Sequence, residues 1–251
     1  MPEENSTNGN SLALSFFWKF LERTSIQIVN FLLTLILARI LSPNEYGVMS
    51  LLLVFSTITM VIVQGGFNTA LVQNPSVNRV DFSTIFIFSL VVATIFYTIL
   101  YLAAPSIASF FSNEEMISLI RVLGLILFLG ALSSVQIAYC VRNMHFRVIF
   151  ISSLIAILMS AFVGIILAIN QFGVWALVGQ QMTNQAVICI VMWFMLDWHP
   201  EAIFSFSRLR MLNNFGGKIL ISNLLVALYI NLRSLIVGSV FIFGQFGCHG
   251  T

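Results

Sequence analysis

The sequence predicts an all-α polytopic membrane protein, a six-helix amino-terminal lobe over residues 15–199 followed by a seventh transmembrane helix over 216–238. Three observations predict it. Hydrophobic residues make up 59% of the 251, charged residues 8%, and mean hydropathy is +1.00, against about 45–50% apolar and about 25% charged in soluble domains. Apolar segments of about 20 residues, long enough to cross a hydrocarbon core as helices, recur along the chain. Basic residues collect at alternate connections between those segments. A barrel is excluded, because its strands are about half as long and alternate polar with apolar residues.

Taken in order, residues 1–14, MPEENSTNGNSLAL, are polar, carry Glu3 and Glu4, and lack the basic region and cleavage site of a signal peptide. They read as a disordered cytoplasmic tail. The spans expected are Ser15–Leu41, Tyr46–Gly66, Phe82–Ala104, Met116–Tyr139, Val148–Ile169, Val174–Leu196 and Gly217–Val237. Between the sixth and seventh, residues 200–215 mix Ile203, Phe204, Leu209 and Leu212 with Arg208 and Arg210, which suits an amphipathic linker lying on the cytoplasmic surface. Gly216 and Gly217 mark either a hinge or the end of an ordinary linker.

Of the eleven basic residues, Lys19 and Arg23 flank the first span, Arg79 lies in the second loop, Arg142 and Arg147 in the fourth, and Arg208, Arg210 and Lys218 in the sixth. Arg39 alone stands at an outer end, while Arg121 and Arg233 fall within spans. The amino terminus is therefore expected inside, in a multi-pass arrangement. The net charge of +2 reflects this bias and not a nucleic-acid footprint, since no basic run occurs. Cys140, Cys189 and Cys248 share no CxxC spacing, so no metal site or cofactor is indicated.

A polar passage is legible in the spans. At 100° per residue, Lys19, Arg23, Gln27, Asn30 and Thr34 fall within roughly 80° of one another on the first helix. Such a stripe faces a cavity, or its uncharged members bond neighbouring helices while Lys19 and Arg23 anchor the topology. Ser50, Thr57, Gln64 and Asn68 align near the second span, and Gln180, Gln181, Asn184 and Gln185 form the densest uncharged polar cluster, in the sixth. In the seventh span Lys218, Ser222, Tyr229 and Arg233 share a face, and a cation as deep as Arg233 needs a partner, for which an anionic ligand fits. Arg121 is a further candidate. Its alternatives are a pair with Glu114 or snorkelling to the surface.

Catalysis is not indicated. The aspartates Asp81 and Asp197 lie in separate loops, and His145, His199 and His249 have no ligand spacing between them.

Two long-range features complete the reading. Leu37–Gly47, LARILSPNEYG, is echoed by Val237–Gly247, VGSVFIFGQFG, which points to one repeat and the start of a second, as in a duplicated transporter. LARILSPNEYG, GFNTALVQ (residues 66–73), VRNMHFRV (141–148) and FGGKILISNLLVALYINLRSLIVG (215–238) together resemble bacterial polysaccharide flippases, the Wzx-like branch of the multidrug and oligosaccharidyl-lipid exporter superfamily. The resemblance runs from about Ser15 to Gly238.

The resemblance implies a two-lobed transporter that moves an undecaprenyl-pyrophosphate-linked oligosaccharide across the bacterial cytoplasmic membrane. Its partners would be that lipid-linked oligosaccharide, membrane lipids and other polysaccharide assembly proteins. Substrate-binding candidates are Lys19, Arg23, Gln27, Asn30, Gln64, Asn68, Arg121, Gln181, Asn184, Lys218 and Arg233. The alternatives are a multidrug-type exporter of the same superfamily, which would want buried carboxylates, or an inactive fragment. The stretch 239–251, SVFIFGQFGCHGT, departs from the pattern by lacking a polar turn and a continuing helix, so a truncated or frameshifted form is expected.

Overall fold

The computed structural model describes residues 4–64, 66–73, 77–111, 113–196, 200 and 203–247, with the side chains of 4–16, 211, 213–215 and 231–247 outside the description. The described residues form α1 (Glu4–Ile40), α2 (Pro43–Gln64), α3 (Phe67–Gln73), α4 (Arg79–Phe110), α5 (Glu115–Gly124), α6 (Ile126–Arg142), α7 (Phe146–Ile169), α8 (Val174–Met195) and α9 (Phe206–Gly247). Among the described residues six spans are long and apolar enough to cross a membrane, α5 and α6 counting as one. The seventh expected span corresponds to a shorter apolar stretch, Gly216–Ile230, inside α9. The protein is an all-α multi-pass membrane protein.

Helix ends follow local chemistry. At the α1–α2 junction Ser42 N–H donates to Glu45 Oε2 at 2.6 Å, and Ser42 Oγ lies 2.9 Å from the same oxygen. This is a capping box with Pro43 at the first helical position, where its missing N–H costs nothing. The SPNEYG motif is thus a helix stop followed at once by a helix start. At α4 the N–H of Asn78 donates to Asp81 Oδ2 at 2.8 Å, and that helix continues through Pro105 to Phe110. The expected fourth span is divided at Leu125, which keeps right-handed helical dihedrals, so the division is a bend within one span. α1 starts at Glu4, within the stretch read as a tail. Residues 5–14 contain no proline and a single glycine, so nothing there stops a helix growing out of the span.

Packing rests on small residues. Ser152, Ala156, Ser160, Gly164 and Ala168 recur at every fourth position of α7 and are all buried. They bring α7 close against α8, the most extensive helix pair in the lobe. Without water to drive apolar burial, such close backbone approach is how membrane helices gain dispersion contacts. α1 packs against α7, while α2 and α6 occupy the middle and α4 and α5 the far side.

The segment expected as a separate linker, 200–215, enters α9 at Phe206, and the helix runs on through Gly216 and Gly217 and past Ser239. Its beginning is docked on the lobe. Leu209 and Leu212 are buried among Phe67, Leu71, Phe82 and Val135, and Arg208 pairs with the fully buried Asp81. Gly66, at φ +68°, allows the crossing: a Cβ there would fall 2.6 Å from the carbonyl oxygen of Gly216 and 2.8 Å from the nitrogen of Leu220. Within this continuous helix Gly216 serves close packing, since a Cβ there would fall 3.2 Å from the Phe67 ring.

Candidate functional site

Two cavities and a groove gather most of the polar side chains singled out from the sequence. The first cavity, 250 Å³, lies between α1, α7 and α8 and is lined by Asn30, Ser153, Ser160, Gln180, Gln181 and Asn184. Positions 180, 181 and 184 share one face of α8 by helical geometry. Gln185, the fourth member of that cluster, is committed elsewhere: its Nε2 donates to Ser133 Oγ on α6 at 2.7 Å. A Cβ at Gly164 would meet the Gln180 Cβ at 3.2 Å, so the absence of a side chain on α7 makes room for that glutamine.

The second cavity, 360 Å³, lies between α2, α3 and α9 and is lined by Thr57, Gln64, Asn68, Thr69 and Asn223, with apolar Val226 and Ala227. Here α3 matters, because it turns Asn68 and Thr69 back beside the end of α2. Asn223 escaped the sequence reading. Its signal was an amide inside an apolar span that also carries Lys218 and Arg233.

A groove along α1 carries Lys19, Phe20, Arg23, Thr24 and Gln27. Lys19 Nζ lies 2.8 Å from Glu22 Oε2, with Lys19 half-exposed. Arg23 has no ion pair among the described residues. The α1 stripe therefore changes character along its length, from a cationic groove around Lys19 and Arg23 to the uncharged cavity at Asn30. Thr34 drops out of it, since its hydroxyl donates to the carbonyl of Asn30 at 2.8 Å.

The remaining candidates lie apart. Arg121 stacks its guanidinium over Tyr101 at 4.1 Å from the ring centroid, between α5 and α4, and lines neither cavity. It forms no ion pair with Glu114. Lys218 is exposed on the flank of α9 with Ser222 and Tyr229. Arg233 lies outside the described side chains.

No carboxylate is among the described residues lining either cavity. Amides and hydroxyls both donate and accept hydrogen bonds without charge, which suits hydroxyl-rich ligands better than cations.

A multi-pass helical lobe with uncharged polar cavities defines the class only as a polytopic membrane protein. Comparison narrows the class: the chain belongs to the polysaccharide biosynthesis protein family, whose model matches residues 36–250. It is 26% identical over 211 residues to the succinoglycan biosynthesis transport protein ExoT of Rhizobium meliloti (strain 1021), covering 84% of this chain and 43% of that protein. It is 27% identical over 221 residues to the teichuronic acid biosynthesis protein TuaB of Bacillus subtilis (strain 168), covering 86% of this chain and 44% of the relative. An uncharacterized membrane protein in the cps region of Klebsiella pneumoniae is 24% identical over 109 residues, 43% of this chain and 22% of that one. The chain spans less than half the length of these curated relatives. No solved structure matches.

Proposed function

We propose that this chain supplies the amino-terminal lobe of a transporter for a lipid-linked oligosaccharide, carried across the bacterial cytoplasmic membrane on an undecaprenyl-pyrophosphate anchor. The carrying observation is the graded polarity of α1. Lys19 and Arg23 line the groove at one end, and seven residues beyond Arg23, about 10 Å along a helix, Asn30 opens into the cavity it shares with Gln181 and Asn184. A ligand with anionic phosphates joined to neutral sugars has the same division. The guanidinium fork of Arg23 suits phosphate oxygens, and the amides of α8 suit sugar hydroxyls.

Gln27 lies between these two regions in the groove, and Gln64 and Asn68 in the second cavity offer sugar hydroxyls the same chemistry. The exposed Lys218 on α9 would add cationic charge to the ligand path, and Arg233 is proposed for the same role from its place in the sequence. Orientation is part of the proposal: the amino terminus faces the cytoplasm. Supporting it, contacts from Trp18 to Phe150, Arg142 to the Leu71 carbonyl and Arg208 to Asp81 bring the basic connections to one end of the bundle.

The test is binding by the purified 251-residue chain of an undecaprenyl-pyrophosphate-linked oligosaccharide, followed by native mass spectrometry. R23Q should weaken binding of both the glycosylated lipid and the bare pyrophosphate lipid. N184A should weaken only the glycosylated one. Equal binding by the parent, R23Q and N184A would refute the reading.

A further inference from the structure

Arg121 is a cation without hydrogen-bonding company among the described residues. Its guanidinium rests against the Tyr101 ring, its Nε is buried with no hydrogen-bond partner, and among the described residues it forms no ion pair. Tyr101 itself is 41% exposed on the outward flank of α4. A buried guanidinium N–H without an acceptor in an apolar span is costly, and membrane arginines meet that cost with a partner or with the headgroup region.

Position along the helix selects the headgroup region. Arg121 is six residues, about 9 Å, from the start of α5. The span Glu115–Arg142 has 28 residues, about 42 Å of helix, and overshoots a hydrocarbon core of about 30 Å by about 12 Å. With the overshoot shared between both ends, the Arg121 backbone lies about 3 Å inside the boundary, within reach of lipid phosphates for a snorkelling side chain. The tyrosine ring then holds one face of the guanidinium by cation–π attraction, leaving the terminal nitrogens to fork onto an oxyanion.

We propose that Arg121 and Tyr101 form a binding site for the phosphate of a membrane lipid, where α5 meets α4 and separate from the two amide-lined cavities. The shared chemistry is a lipid phosphate oxyanion, whether of a bulk phospholipid or of a polyprenyl phosphate. The site does not depend on the glycan reading above.

Native mass spectrometry of the full chain with phosphatidylglycerol, undecaprenyl phosphate and diacylglycerol, each in separate titrations, tests it. The expected result is retention of a phosphate-bearing lipid over diacylglycerol, about tenfold weaker in R121Q, intermediate in R121K and weaker in Y101L. Stronger retention of phosphatidylglycerol identifies the bulk leaflet as the source, and stronger retention of undecaprenyl phosphate identifies the carrier lipid. In an R23Q background R121Q should lower phosphatidylglycerol retention by the same factor as in the parent, which separates failure here from failure of the glycan site. Diacylglycerol bound as well as the phosphate lipids, or R121Q bound as well as the parent, overturns the proposal. If R121Q cannot be purified, unchanged retention in both R121K and Y101L overturns it equally.

Discussion

The carboxylate of Asp81, wholly buried at the start of α4, lies 3.6 Å from Nε of Arg208 at the start of α9. Further along the same face of α4, the Thr84 hydroxyl accepts the N–H of Ser205 at 3.2 Å. The first turn of the last helix is thereby tied to the lobe by one ion pair and one hydrogen bond, above the buried Leu209 and Leu212. Taking away Arg208 leaves a buried carboxylate without its partner, which costs more than removing both charges together. Arg208 is partly exposed, so a loss of about 1–3 kcal/mol is expected for R208Q. D81N/R208Q should be less destabilised than R208Q alone. Thermal unfolding in detergent measures both, and equal losses would show that the pair contributes nothing to docking.

Gly173 and Glu45 approach closely at the opposite end. Gly173 adopts φ +57°, and a Cβ there would fall 2.5 Å from Glu45 Oε1. G173A should therefore lose about 1–3 kcal/mol through backbone strain and displacement of the capping carboxylate. In an E45A background the cost of the same change should shrink without vanishing, because the dihedral strain persists. A double-mutant cycle on thermal stability reads the difference.

The α7 ladder predicts a sharp asymmetry between faces. S160L and G164L put bulk into the closest helix contact and should yield aggregated or poorly expressed protein. M159L, on the exposed face of the same turn, should behave like the parent on size-exclusion chromatography. If S160L is as monodisperse as M159L, small residues are not what holds α7 to α8.

The proposed orientation can be read directly by labelling. In a cysteine-free background, single cysteines at the exposed Gln171 and His145 lie in connections at opposite ends of α7. A membrane-impermeant maleimide added to intact cells should modify position 171 and spare 145. Labelling at 145 without permeabilisation would invert the topology.

Much of this architecture was legible without coordinates because the bilayer imposes it. Backbone polar groups in hydrocarbon must be satisfied within a helix, so hydropathy and length located the six spans between Phe17 and Met195 to within three residues at every end but one, the third running six residues past Ala104 to Phe110. SPNEYG carried its own helix boundary in Ser42, Pro43 and Glu45. Periodicity likewise placed Lys19, Arg23, Gln27 and Asn30 on one face of α1, and the structure puts the first three in the α1 groove and Asn30 in the cavity beside α7 and α8.

Which groups meet across helices was another matter, since pairing depends on contacts between residues far apart in the chain. Asn184 faces the α1–α7–α8 cavity while Gln185, one position on, bonds Ser133 of α6. Nothing local distinguishes those two amides. Asp81 read as a loop aspartate until α9 folded back to bring Arg208 beside it, and Asn223 became a cavity residue only because α9 crosses the end of α2 at Gly66. Composition and period decide where a helix runs in the membrane; the close approach of one helix to another decides which polar side chains are spent on holding the bundle together and which are left to meet a ligand.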